Sequence, residues 1–249
     1  MMVRTVAMYP ASSSEVEVDM AGGGRAPCDA RISIVIPCHN EAQGLQRLLP
    51  SACVKANEVI VVDNGSTDQS AAVARSFGAI VLTEPQRGMG HAHRRGLSVA
   101  TGDFIVCLDG DGTYPIEAIP SLVQLMEERR LDFLSCCRLP LNDPSAMSLR
   151  NQLGNRALTW LANRLFGLKL RDIMSGMWVM RRSALSQLMP SEGGVPVCIE
   201  VKLNAFLTPL VRAEHAHISY TRRPAGKSKL APWRDGWRCL RLIWRWYRK

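Results

Sequence analysis

Four short runs of β-branched and aliphatic residues recur through the first half of the chain: ISIVIP (32–37), EVIVVD (58–63), AIVLTE (79–84) and DFIVCLDG (103–110). They are too continuously apolar for a half-solvated sheet, so each predicts a strand covered on both faces. Between them lie longer segments with helical spacing: EAQGLQRLLPSACV, TDQSAAVARSFG and GHAHRRGLSVATG, the last two ending on a glycine that suits a helix terminus. Buried strands alternating with helices build βαβ units, which predicts an α/β fold with a mostly parallel sheet flanked by helices. With 249 residues and 47% hydrophobic content the chain is long enough for one such domain with a real core.

Ligands of such sheets gather at the carboxyl ends of the strands. Four segments follow strands directly: PCHNE (37–41), DNGSTD (63–68), EPQRGMG (84–90) and DGDG (109–112). Asp109 and Asp111, one residue apart beyond a strand end, are placed to hold one hard cation such as Mg2+ or Mn2+ while leaving positions for phosphate oxygens. The same DGDG is also good turn chemistry, so the pair alone leaves an acidic turn open. An EF-hand is excluded, because counting from Asp109 puts Tyr114 at the glycine position and Pro120 at the glutamate position. The GMG at 88–90 lacks the third glycine of a dinucleotide fingerprint, and no phosphate-loop motif is present. Eight cysteines scattered without a CxxC pair point to buried thiols of a reducing compartment. Two His-x-His pairs, His91/His93 and His215/His217, lack an evident third ligand for zinc.

Together these segments resemble glycosyltransferase family 2, most closely the polyprenyl-phosphate sugar transferases of the dolichol-phosphate mannose synthase type. The resemblance runs from about residue 31 to 245. It is carried by ISIVIPCHNE, VIVVDNGSTD, RGMGHAHRRGLSVATGDFIVCLDGDGTYP, RDIMSGMWVMRRSAL and RRPAGKSKLAPWRDGWR. It implies a GT-A-like single domain over 31–220, after a disordered N-terminal segment (1–30) and before a basic loop and amphipathic helix (221–249). It further implies that Pro37, His39, Glu41, Asp63, Arg87, Gly88, Asp109 and Gly110 contact the nucleotide-sugar, and that Asp109 and Asp111 hold the metal. Arg138, Arg223, Lys227, Ser228 and Lys229 would bind the acceptor phosphate, and Asp172 would orient the acceptor or sugar. Asp68 is expected to cap a helix. Two positions depart from the family pattern: Asn64 stands where a second aspartate is usual, and Ser175-Gly176-Met177-Trp178 lacks the usual arginine, for which Arg181 or Arg182 could substitute.

The tail carries the charge. Residues 221–249 hold ten of the 31 basic side chains and one of the 22 acidic ones, so the remaining chain is neutral and the net +9 belongs to the tail. On a helix of about 100° per residue, Arg234, Arg238, Arg241, Arg245 and Arg248 form a stripe roughly 80° wide. Trp237, Leu240, Leu242, Ile243, Trp244, Trp246 and Tyr247 cover most of the rest, the pattern of a helix lying in a bilayer surface. A helix packed on the domain with a basic outer face is the alternative. Nucleic acid is not expected, since the rest of the chain supplies no positive balance. A second segment, MSLRNQLGNRALTWLANRLFG (147–167), sets Leu149, Leu153, Ala157, Leu161 and Leu165 in one row beside Trp160, suited to core packing or to an acceptor-side helix.

No run of about 18 uncharged apolar residues is present and the N-terminus lacks an apolar signal core, so the expected location is cytoplasmic, peripheral to the inner face of the membrane. The resemblance also implies a membrane-protein partner such as a flippase or downstream transferase. Two rival functions stay open: a family 2 enzyme acting on a hydroxyl, which needs a carboxylate base such as Glu200, and a non-catalytic nucleotide-sugar-binding protein, suggested by the two departures.

Overall fold

A computed structural model describes residues 30–224, 229 and 231–248; the expected disordered segment, Lys227 and Ser228 lie outside these residues. The elements in chain order are β1 (Ile32–Cys38), α1 (Ala42–Lys55), β2 (Glu58–Asp63), α2 (Ser70–Ser76), β3 (Ile80–Thr83), α3 (Met89–Leu97), β4 (Phe104–Cys107), α4 (Ile119–Glu128) and β5 (Phe133–Cys137). They continue with α5 (Leu149–Phe166), β6 (Trp178–Arg181), α6 (Leu185–Leu188), α7 (Val197–Leu207), β7 (Ala213–His217) and α8 (Pro232–Tyr247). The four apolar runs form β1 to β4. The seven strands make one sheet in the order β3-β2-β1-β4-β6-β5-β7.

All neighbouring pairs are parallel except those of β6, which runs antiparallel to both β4 and β5. This reversal matters for the site. The carboxyl ends of β1, β2, β4, β5 and β7 share one edge, and β6 begins there. The residues leading into β6 therefore meet the residues leaving β4 and β5.

Alternation along the strands separates two cores. Ile32, Ile34, Ile36, Phe104, Val106 and Val179 face α1, α2 and α4. Val35, Ile60, Val62, Ile105, Phe133 and Trp178 face α3, α6 and α7. A third cluster lies off the sheet, where Ala162 of α5 and Ile199 and Leu203 of α7 meet Cys239, Leu242 and Ile243 of α8. The six fully or nearly buried cysteines Cys38, Cys107, Cys136, Cys137, Cys198 and Cys239 are free thiols that fill these interiors.

The leucine row of α5 packs over only part of its length. Leu161 and Leu165 lie partly buried against the third cluster, whereas Leu149 and Leu153 are exposed, as is Trp160, and the fully buried positions are Asn155, Thr159 and Ala162. The helix is turned to bring its polar face inward because that face is needed to bind a loop. Asn163 donates to the Leu170 carbonyl at 2.8 Å and accepts from its N–H at 2.8 Å. Thr159 accepts from the N–H of Ile173 at 3.2 Å, and Asn155 accepts from that of Met174 at 3.2 Å.

Candidate active site

The turn after β4 is seated by backbone contact. Gly44 of α1 lies against the Gly110 carbonyl so closely that a Cβ at 44 would collide with it, and Gly112 has φ +75. Asp111 accepts from Thr113 through its N–H (3.2 Å) and its hydroxyl (2.6 Å). Asp109 is differently placed: its Oδ1 is shielded from solvent with no hydrogen-bond partner. Burial, and then the charge of Asp111, push its carboxyl up to about 7. An orphaned carboxylate oxygen beside a second carboxylate suits a divalent cation. No group of three His, Cys, Asp or Glu side chains among the described residues is arranged to hold a metal, so such an ion would complete its shell from bound phosphate and water.

Cations of the segment after β7 already lie here. Arg223 donates to Glu41 at 2.6 Å and lies 3.4 Å from Asp111. Lys229 is 2.6 Å from the same Glu41 oxygen and donates to the carbonyls of Asn40 (2.8 Å) and His39. Thr221 anchors the segment by donating its N–H to the Thr113 carbonyl at 3.1 Å. Arg223 and Lys229 thus sit on Glu41 and Asp111 and on the loop that contains His39.

The loops after β1 and β2 are cross-braced. Asn40, at φ 54, accepts from the N–H groups of Thr67 (2.7 Å) and Asp68 (3.3 Å) and donates its own N–H to Ser66 at 2.9 Å. Asp63 accepts from the Ser66 N–H at 2.9 Å. Asp68 accepts from the N–H of Ser70, the first residue of α2, at 2.9 Å and from that of Ala42, the first of α1, at 3.2 Å, so it serves two helix starts. The departure at Asn64 has a structural reason. Its amide donates to the carbonyls of Glu84 (2.9 Å) and Gln86 (2.8 Å) and accepts from the Gly88 N–H at 2.7 Å. A carboxylate could not donate the first two bonds. Arg87, delivered by this loop, reaches 3.1 Å from His39 Nδ1 and lies across Gly65. Pro37 is half-buried at the end of β1.

Beyond Asp109 the site changes character. Arg138, immediately after β5, makes a bidentate pair with Asp172: its Nε lies 2.8 Å from Oδ2 and its Nη2 2.9 Å from Oδ1, and its N–H donates to Oδ2 at 3.0 Å. Asn155 supplies a further bond to Oδ1 at 2.7 Å. Burial alone would raise the Asp172 carboxyl, but the Arg138 guanidinium overrides it and holds the group well below the usual carboxylate range. Asp172 is a strongly held anion, the wrong character for a base. The Arg138 guanidinium lies 5.2 Å from the Tyr220 ring centroid and contributes to the field at Asp109.

Gly176 sits directly on Asp109, where a Cβ would collide with its carboxylate, and donates its N–H to the buried Tyr114 hydroxyl at 2.7 Å. Met177 and Trp178 then turn into the two cores. Arg181 and Arg182 do not substitute for the missing arginine. β6 runs away from the site, and Arg181 ends at the opposite edge, paired with Glu127 at 3.0 Å and packed over Phe104.

Glu200 is occupied structurally. It accepts from the N–H groups of Ser191 (3.0 Å) and Glu192 (2.7 Å), shaping the loop whose Gly193 carbonyl accepts from Gly90 N–H at the start of α3 (3.0 Å). His93 is buried against the Trp178 ring, and His215 stacks on Phe206. Sequence reasoning missed Asn40, Thr113, Tyr114, Asn155 and Lys202. Asn40, Thr113 and Tyr114 lay inside quoted motifs and Asn155 inside the quoted 147–167 segment, but none was given a role; Lys202 reaches the site only through tertiary contacts.

Residues 33–189 match the family described as Glycosyl transferase family 2. The chain belongs to glycosyltransferase family 2. Among relatives of this glycosyltransferase, the low-salt glycan biosynthesis hexosyltransferase Agl6 of Haloferax volcanii is 31% identical over 222 residues, covering 85% of this chain but 52% of that protein. The chain therefore spans about half the length of that relative. A dolichyl-phosphate hexose transferase of the same organism is 28% identical over 211 residues, covering 82% of this chain and 89% of the relative. The fold is shared with glucosyl-3-phosphoglycerate synthase from Mycobacterium tuberculosis, crystallised with Mn2+, UDP-glucose and glycerol 3-phosphate. That match has a TM-score of 0.70 at 24% identity, covering 86% of this chain and 80% of the other. It establishes a GT-A-like fold for this family 2 enzyme.

Proposed function

We propose that this glycosyltransferase moves a sugar from a UDP- or GDP-linked donor to a polyprenyl monophosphate at a membrane surface. The observation that carries the proposal is the junction at Gly176: one side of it touches the unpartnered carboxylate of Asp109, and the other is fastened through Asp172 and α5 to a helix pair that exposes an apolar face. Donor chemistry and a lipid-facing surface thus meet across one turn. Relatives named for dolichyl-phosphate hexose transfer and for dodecaprenyl-phosphate galacturonate synthesis support the acceptor class, and the Mn2+ and UDP-glucose of the structural neighbour support the donor class.

On the donor side, the braced loops around Pro37, His39, Glu41 and Asp63 would form the nucleoside wall. Arg87, Gly88 and Gly110 would approach the diphosphate. Asp109 and Asp111 would hold Mg2+ or Mn2+, which supplies charge neutralisation for the departing diphosphate. Arg223 and Lys229 would follow that charge, exchanging Glu41 and Asp111 for phosphate oxygens, with Lys227 and Ser228 beside them in sequence.

The acceptor phosphate is its own nucleophile. A phosphate monoester has a second pKa of about 6, so it attacks largely ionised and inverts the anomeric centre without a strong base. This agrees with Asp172 and Glu200 both being committed to structural bonds. Arg138, held in a fixed fork by Asp172, would orient the phosphate, and orientation is then the main protein contribution.

At the membrane side, α8 divides its surface. Cys239, Leu242 and Ile243 pack inward, while Trp233, Trp237, Trp244 and Tyr247 stay exposed. A groove of about 300 Å³ between α5 and α8, lined by Leu161, Leu165, Trp237, Leu240, Ile243 and Trp244, would receive the first prenyl units. Arg245 pairs with Glu192, and Arg234 and Arg238 lie beside Asp235, so Arg241 and Arg248 would meet anionic headgroups, each worth about 1 kcal/mol. No helix among the described residues is long and apolar enough to cross a membrane, which is consistent with peripheral attachment.

The test is a donor screen of UDP- and GDP-sugars with one short polyprenyl phosphate and Mn2+ or Mg2+. The expected product is a lipid-linked sugar cleaved by mild acid. Transfer only to a free hydroxyl compound, or donor binding with no turnover, would overturn the assignment.

A further inference from the structure

Lys202, in the middle of α7, is completely buried. Its ammonium donates to the carbonyl of Ser175 at 2.6 Å and to that of Ile173 at 3.3 Å, and lies 5.6 Å from the Trp178 ring centroid. Among the described residues no carboxylate pairs with it. A desolvated cation satisfied mainly by main-chain carbonyls is a costly way to fill a core, so the segment it grips is informative.

That segment is residues 173–176, and it is fastened at both ends and between them. Its start is held by Thr159 and Asn155 of α5 through the N–H groups of Ile173 and Met174. Its end is held by Tyr114 through the N–H of Gly176. Lys202 supplies the remaining ties, to the carbonyls in between. Gly176 is then pressed against the Asp109 carboxylate with no room for a Cβ. Removing the ammonium frees the Ser175 carbonyl next to Gly176, and the clamp on Asp109 loosens.

We propose that Lys202 is a positioning residue for Asp109, holding the 173–176 main chain so that Gly176 aims the carboxylate into the cleft for the divalent ion. The inference rests on the assignment of Asp109 as a metal ligand. It is distinct from a merely stabilising lysine, because stability and metal affinity then respond separately.

The test is Mn2+ binding to the purified full chain, measured from the electron paramagnetic resonance of free Mn2+ with UDP or GDP present. Thermal unfolding is followed in parallel. Lys202→Met is expected to weaken Mn2+ binding by about tenfold or more, the scale of a lost outer-shell partner. Leu131→Ala, a buried residue just before β5 at the sheet edge opposite the site, should lower Tm but leave Mn2+ affinity within about twofold, since it lies far from the clamp. Where the methionine variant does not fold, Lys202→Gln, which keeps an amide donor, is expected to bind Mn2+ more weakly than wild type. Gly176→Ala should reproduce the loss by displacing Asp109 from the other side. A folded Lys202 variant with wild-type Mn2+ affinity would overturn this inference alone. Absence of Mn2+ binding in the wild-type chain would overturn the metal assignment and this inference with it.

Discussion

The half of the cleft proposed to take the donor and the half proposed to take the acceptor are built by different means. In the donor half, parallel strands deliver short loops to one edge, and those loops brace each other through side chain-to-backbone bonds such as those of Asn40, Asn64 and Asp68. In the acceptor half, an antiparallel strand and three helices are joined by a buried ion pair and a buried lysine, and their outer surface exposes leucines and tryptophans among arginines. The lesson is that one half is determined locally and the other only by assembly. Substitutions should accordingly separate into those that disturb chemistry in place and those that disturb docking.

The largest effect is expected at the donor side. Asp111→Ala should lower sugar transfer by at least about a hundredfold, since a bound metal supplies several kcal/mol of charge stabilisation. Its Tm should stay close to wild type, and normal turnover would break the comparison at once. Next comes the acceptor-side ion pair. Asp172→Ala strands the buried guanidinium of Arg138 and should cost about 3–5 kcal/mol of stability, read by urea unfolding. Replacing Arg241 and Arg248 with glutamine should weaken binding to anionic vesicles by about 2 kcal/mol with no change in donor affinity. Equal loss of both would mean that α8 acts only as a packed helix.

Asn64→Asp sharpens the distinction from the other direction. It places the family's usual residue in this chain, yet it removes two amide donors from the loop that carries Arg87. A stability loss of about 1–3 kcal/mol and a raised donor KM are expected. The smallest effect is on pH dependence. The Asp172 carboxyl is held below its ordinary range in the folded state, so its contribution is fully present above that range and is lost as pH falls through the folded value. Asp172→Asn should therefore flatten the acid limb of the stability curve while leaving its shape near neutrality unchanged.

Much of the donor half was legible because strand periodicity and loop chemistry are written in adjacent residues. The apolar runs became β1 to β4, and the four segments after them share one edge. The acceptor half was less so. The leucine row of α5 marked an amphipathic helix, but its direction was set by Asn155, Thr159 and Asn163 binding the 170–174 loop. In α8 one edge is buried against α5 and α7, as the packed alternative expects, and the rest is open, which is the surface the proposed interfacial role would use.

The order of residues alone established an α/β chain of family 2 type, a paired carboxylate at a strand end and a basic aromatic tail, because each of these is a pattern over a few consecutive positions. Tertiary structure decided which groups remain available. The reversed β6 sends Arg181 to the far edge and sets Gly176 on Asp109; Asp172 is consumed by donors remote in sequence and Glu200 by the backbone of the loop just before α7; Arg223 and Lys229 fold back onto Glu41. A side chain's chemistry depends on its partners and its exposure, and those are properties of the assembled chain.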